Sequence, residues 1–262
     1  MRSMRTANPA LSEKAFEQAV ADWAPPSGTP VEFGGREATM TVRGTIWAAA
    51  ALLAVLVVTA AFGWNSVERG LEGQPIAFPG WLLLAMLGGL GVAMVTIFKP
   101  TLARFTAPVY AAVQGLVLGA ISAVYDAAFE GIVVQAVMLT FGVMAVMLFL
   151  FATRIIKVTD KLRMGIVAAT AAIFLVYLVS IVISLFGGTA PFIHDSGAVG
   201  ILFSLAVVGV AAFNFLLDFD LIERGSELGA PRYMEWYAAF GLLVTLIWLY
   251  LEMLRLLGKL RN

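Results

Sequence analysis

VGILFSLAVVGVAAFNFLLDFDLIERG, residues 199–225, is an apolar run from Val199 to Leu217 closed by two carboxylates, Asp218 and Asp220. At 1.5 Å per residue the run is long enough to cross most of a hydrocarbon core about 30 Å thick. An ionised carboxylate costs about 2.5–3.5 kcal/mol at the centre of an inserted helix and less toward its end. Each of these two groups therefore needs a partner, water or a function, and the rest of the chain reads as their housing.

Composition sets the class. Of 262 residues 61% are hydrophobic and 13% charged, and the mean hydropathy is +0.91, whereas a soluble domain carries about 25% charged residues. The chain reads as an integral membrane protein. Lys plus Arg balances Asp plus Glu at 17 each, so net charge points to no nucleic-acid partner. With no cysteine there are no disulfides, thiolate ligands or thiol nucleophiles, and the single histidine, His194, excludes a histidine-rich metal centre within one chain.

Six further apolar runs accompany the first. In order, the expected spans are residues 45–64, 81–98, 105–125, 132–153, 164–186, 199–217 and 236–254. The domain plan is a polar N-terminal tail over 1–44 and a seven-helix transmembrane domain over 45–262. Within the tail, Leu11, Ala15, Ala19 and Trp23 recur every four residues ahead of Pro25-Pro26, the pattern of a short helix on the membrane surface or of a tail with chance periodicity. No apolar core of a signal peptide precedes the first span.

Charge orients the chain. With the N-terminus inside, thirteen Lys and Arg fall on the inner face and four on the outer. This puts the tail in the cytoplasm. Arg255, Lys259 and Arg261 are the misfit, since seven crossings place them outside; snorkelling to the far headgroups or a re-entrant last segment would each account for them.

Small and polar residues inside the spans are few. Gly115 and Gly119 form a GxxxG on the third span, and Gly88, Gly89 and Gly91 cluster on the second, both marks of close helix approach. The polar set includes Gln114, Gln135, Tyr177, Asn214, Thr245 and Glu252. For the uncharged members the ordinary role is an interhelical hydrogen bond worth about 0.6 kcal/mol. Asp220 has Arg224 four residues on, and Glu252 has Arg255 three residues on, the spacings of helix ion pairs. Asp218 has Leu221 and Ile222 at those positions, so it is the stronger functional candidate, with Asn214 on the same face.

These residues also carry a resemblance. NPALSEKAF at 8–16, FKPTLARFTAPVYAAVQGLVLGAIS at 98–122, GIVVQAVMLTFGVMAVMLF at 131–149, LDFDLIERG at 217–225 and WYAAFGLLVTLIWLYLEMLRLL at 236–257 together resemble the Bax inhibitor family of seven-helix membrane proteins, including its bacterial YccA-like members, and within it the actinobacterial branch. The resemblance implies an all-α membrane fold of two three-helix layers around a central seventh helix. For some relatives it implies a pH-sensitive calcium leak, in which an Asp near the end of helix six shares a proton with an Asp on helix seven and a basic residue near the start of helix three latches to the pair. Asp218 matches the first Asp, and Lys99 or Arg104 the basic residue. Letters favour Glu252 as the second carboxylate. Depth favours Thr245, because Glu252 lies about 10 Å further along the last helix, and Asp220 is then the nearest second acid. Gln114 stands where many relatives have Glu.

Two other seven-helix functions fail on residues. A retinal protein needs a lysine within the last span and only Lys259 is there, at its far end; a rhomboid-like protease needs a GxSG turn and a membrane His, and the sequence has neither. Two readings of different class stand. The first is an ion pathway in the plasma membrane, using no cofactor and carrying calcium or another cation, with Asp218, Asp220, Asn214, Thr245 and Glu252 as the ion- or proton-sensing set and Gln114 facing the path. The second is a non-enzymatic membrane stress protein that binds a membrane protease or another membrane partner.

Overall fold

The computed structural model describes residues 39–67, 79–186 and 197–261. The expected tail helix over 8–23, the first outer loop with Arg69, and the loop carrying His194 lie outside the described residues. Among those described there are seven α-helices: α1 Val42–Asn65, α2 Leu82–Phe98, α3 Ala103–Ala128, α4 Ile132–Ala152, α5 Asp160–Leu185, α6 Ala198–Glu227 and α7 Met234–Arg261. Six are long and apolar enough to cross a membrane, and α2, at 17 residues, is shorter. The chain is a multi-pass membrane protein.

Helix ends follow local chemistry. Thr41 caps α1, its hydroxyl accepting from Gly44 N at 2.9 Å, and Thr159 caps α5 by accepting from Leu162 N at 3.3 Å. Pro100 keeps Lys99 out of the helical region, at φ −129° and ψ 73°, which stops α2 and starts the short 3-10 turn Pro100–Leu102 that leads into α3. The α6 to α7 turn is a Schellman motif. Ala230 N bonds to Gly225 O at 3.0 Å and Gly229 N to Ser226 O at 3.2 Å, with Gly229 at φ +67°, a conformation that a Cβ disfavours.

α6 is longer than its membrane-length run, as the depth comparison of Thr245 with Glu252 requires. Its apolar run ends at Leu217, but the helix continues to Glu227. Hydropathy marks where lipid contact ends, whereas the backbone continues until the glycine turn. The last helix likewise runs unbroken for 28 residues, about 42 Å. A re-entrant last segment is therefore excluded.

The chain divides into two compact units. The first comprises the described parts of residues 1–124 with 218–244, and the second 125–217 with 245–262. In the first unit, α1 and α3 approach at glycine. A Cβ on Gly63 would overlap the Leu116 carbonyl, one on Gly115 would meet Thr59 Oγ1 and the Leu56 carbonyl, and one on Gly119 the Ala60 carbonyl. The expected GxxxG contact is thus made, and its partner is α1. The cluster on α2 behaves differently: only Gly89 has a neighbour, Gln114 and Val113 of α3, while Gly88 and Gly91 have open space beside them. Thr96 Oγ1 and Thr106 Oγ1, 2.8 Å apart, tie α2 to α3.

In the second unit, Asn214 Nδ2 of α6 donates to Thr170 Oγ1 of α5 at 3.0 Å. The three C-terminal cations are also engaged by protein. Lys259 Nζ donates to Gly200 O and Ser204 Oγ of α6, both at 2.9 Å, and Arg261 donates to Glu130 O at 2.8 Å and Gln135 Oε1 at 2.9 Å. Their place at the end of α7 is thus explained by tethering to neighbouring helices rather than by headgroups alone.

Replacing Gly115 with Val should lower stability by about 1–3 kcal/mol, because the new atoms meet fixed α1 backbone. The Gly142→Ala variant, with open space around that position, should be neutral or gain up to about 1 kcal/mol. Thermal unfolding of both variants in detergent gives the comparison.

Candidate functional site

Asp218 lies within α6 with its side chain fully enclosed, 0% exposed. Leu221 and Ile222, one turn on, form a buried cluster with Met40, Ala103, Ala230, Met234, Tyr237 and Ala238. Tyr110 of α3 packs edge-on against Phe240 of α7, with ring centroids 4.9 Å apart. A carboxylate in such a setting is expensive to hold and is a functional-site candidate by default.

Asp220 points elsewhere. It pairs with Arg224 Nε at 2.9 Å, as the spacing foretold, but the pair is less solvated than an interface pair, since Asp220 is only 7% exposed. Asn214 is one turn before Asp218 on α6. Its amide nitrogen is used twice, by Thr170 and by the Val210 carbonyl at 2.9 Å, and its Oδ1 is buried without a hydrogen bond among the described residues.

Lys99 and Arg104 are exposed and make no ion pair among the described residues. Gln114 is half-buried, hydrogen-bonded to the Tyr110 hydroxyl and beside Gly89. Thr245 is buried in the middle of α7.

Glu252 belongs to a different cluster, in the second unit. Its Oε1 accepts from Arg255 Nη1 at 2.6 Å and from Tyr177 OH of α5 at 2.8 Å. Arg255 also donates to the Tyr177 oxygen at 2.6 Å and lies over the Tyr177 ring, 5.1 Å from its centroid. Glu252 is 2% exposed while the Arg255 side chain is 34% exposed, so the pair sits with its anion inside and its cation at the edge. Glu252 Oε2 is buried with no hydrogen bond among the described residues. The Glu252–Arg255 spacing was readable; Tyr177, 75 residues away, was not.

Sequence reasoning missed a further acid. Glu235, in the first turn of α7, accepts from Thr41 N at 3.0 Å and Thr41 Oγ1 at 2.9 Å. No local signal reveals a bond across 194 residues, although the absence of a side chain at Gly44, against which the Glu235 carboxyl rests, was a trace of it. Among the described residues no group of three or more His, Cys, Asp or Glu is placed to hold a metal.

Helical throughout the described residues, with six helices long and apolar enough to cross a membrane, a shorter seventh and a carboxylate enclosed inside one of them, the chain is a polytopic membrane protein. Residues 8–262 match the family described as Bax inhibitor 1 like, essentially the whole chain, and the protein belongs to that family. No curated protein matches the chain.

Removing the cation of the Glu252 cluster should cost more than removing the phenol. Arg255→Met leaves a buried carboxylate uncompensated, a loss of about 3–5 kcal/mol, whereas Tyr177→Phe removes two hydrogen bonds but leaves Glu252 and Arg255 paired, a loss of about 1.5–3 kcal/mol. If Arg255 and Glu252 act as a pair, Glu252→Gln in the Arg255→Met background should recover part of the loss in thermal unfolding.

Proposed function

We propose that this Bax inhibitor 1 like protein is a pH-sensitive leak pathway for calcium or a related cation, gated by Asp218 at the cytoplasmic end of α6. The observation that carries this reading is the complete enclosure of Asp218 in a membrane-spanning helix of a chain with little other charge in its spans. A carboxylate there interacts with a cation in its ionised form and not when protonated, so one proton switches the charge along the path. Asp220 is held by Arg224 four residues on, and Asp218 is the more deeply enclosed of the two acids. Lys99 and Arg104, exposed near the start of α3, are the candidate latch. The reading places the protein in the plasma membrane with its N-terminus in the cytoplasm. It also makes α7 the central helix, in keeping with the 61% burial of its most apolar stretch, the highest of the six long helices.

Purified protein in calcium-loaded liposomes should leak in a pH-dependent manner, and Asp218→Asn should flatten that dependence. A variant that keeps the parent's pH profile would sink the assignment to Asp218. For topology, a reporter fused after Asn262 should read as outside and one before Met1 as inside. Two cytoplasmic readings would overturn the orientation.

A further inference from the structure

Asp218 lies nine residues before the end of α6 that leads to the α6–α7 turn, and its side chain is fully enclosed. The segment of residues 39–41, just ahead of α1, brings Met40 against the next turn of α6. Met40, 1% exposed, inserts its side chain among Ala103 at the start of α3, Leu221 and Ile222 of α6, and Met234, Tyr237 and Ala238 of α7. Leu221 and Ile222 are one turn beyond Asp218 on the face Asp218 occupies. Met40 thus packs on the turn of α6 that follows the enclosed carboxylate.

The segment is fastened at each residue. Thr39 forms an antiparallel bridge with Pro231, Met40 N donates to Ala230 O at 2.6 Å, and Ser226 Oγ donates to Met40 O at 3.4 Å. Thr41 gives both its N–H and its hydroxyl to Glu235 Oε1. That carboxylate also faces the N-terminus of α1, where helix-dipole charge favours an anion, and Arg232 lies 3.9 Å from its other oxygen. Because the Glu235 carboxyl occupies the space a Cβ on Gly44 would need, the clamp depends on glycine at that position.

We propose that Met40 is a removable apolar plug over the cytoplasmic mouth at Asp218, held shut by the Thr41–Glu235 clamp. The role assigned to the mouth rests on the leak reading above; the plug itself does not. A flexible methionine suits a seal that must leave and return, since it packs well without a fixed shape.

The sequence has no cysteine, so Leu221→Cys introduces a single thiol beneath Met40. In detergent-solubilised full-length protein, its reaction with a charged maleimide should be slow. Adding Met40→Ala or Gly44→Ala should speed labelling about tenfold or more, because access then needs no unclamping. Gly44→Ala displaces only the end of the Glu235 side chain, so it tests the clamp without emptying the core. Gly88→Ala, which has open space around it, should leave the rate unchanged. Equal labelling in parent and plug variants, or equal acceleration by Gly88→Ala, overturns the plug. Faster labelling in the Met40 and Gly44 variants with no calcium leak from any liposome preparation supports the plug and removes the leak reading. Faster labelling together with faster leak supports both.

Discussion

Within the hydrocarbon core there is no water to solvate a polar group, so each one must be satisfied by the protein or be costly for a reason. The fold is organised by that constraint. Thr59 and Thr140 return their hydroxyls to carbonyls of their own helices, at 2.9 and 2.7 Å. Thr96 with Thr106 and Asn214 with Thr170 use theirs to join neighbouring helices. Lys259, a side chain that ordinarily seeks water, is buried and finds a carbonyl and a hydroxyl at the start of α6. In the first unit Asp218 is an acid with no exposed surface, so its ionised form is costly wherever hydrocarbon surrounds the helix.

The same constraint explains how much was legible in the sequence. Bilayer thickness fixes the length of an apolar run, so the seven spans could be read closely, with the starts of α1, α2, α3, α6 and α7 within three residues of expectation. The extension of α6 to Glu227 was not visible as a span. Beyond Leu217 the helix no longer faces lipid all round, and the signals that matter are the inward Leu221 and Ile222 and the glycine turn. Gly115 and Gly119 were legible because a pair four apart makes a flat groove on one face. The cluster on α2 was misleading, because glycine is also common where a helix simply faces lipid.

Long-range polar partners were the illegible part. Asp220–Arg224 and Glu252–Arg255 lie within one helix turn and follow from spacing alone. Thr41–Glu235 and Tyr177–Glu252 join residues far apart in sequence, and each partner taken singly has an ordinary explanation: a helix cap, a first-turn acid, a tyrosine within a span. The candidate site is therefore half readable. Its acid is evident from the cost of the residue, while its cover is not, because methionine at the edge of an apolar run carries no signal until the backbone brings Met40 beside Ala230.

The polar residues of α7 follow a spacing that decides what the helix does along its length. Thr245, Glu252 and Lys259 are seven apart and all buried. Seven residues is close to two turns, so the three share a single stripe that drifts by only about 20° per step. In the second unit that stripe meets Tyr177 of α5 at Glu252 and Gly200 and Ser204 of α6 at Lys259. The polar contacts therefore fix α7 in register against two helices, because sliding α7 by one residue would turn the stripe by about 100° and leave a carboxylate and an ammonium facing apolar surface. Glu235 is off this stripe, seventeen residues before Glu252, and in the first unit it is spent on Thr41 instead. One helix thus uses its charges in two ways: along the stripe to hold its register, and at its first turn to hold the segment that covers Asp218.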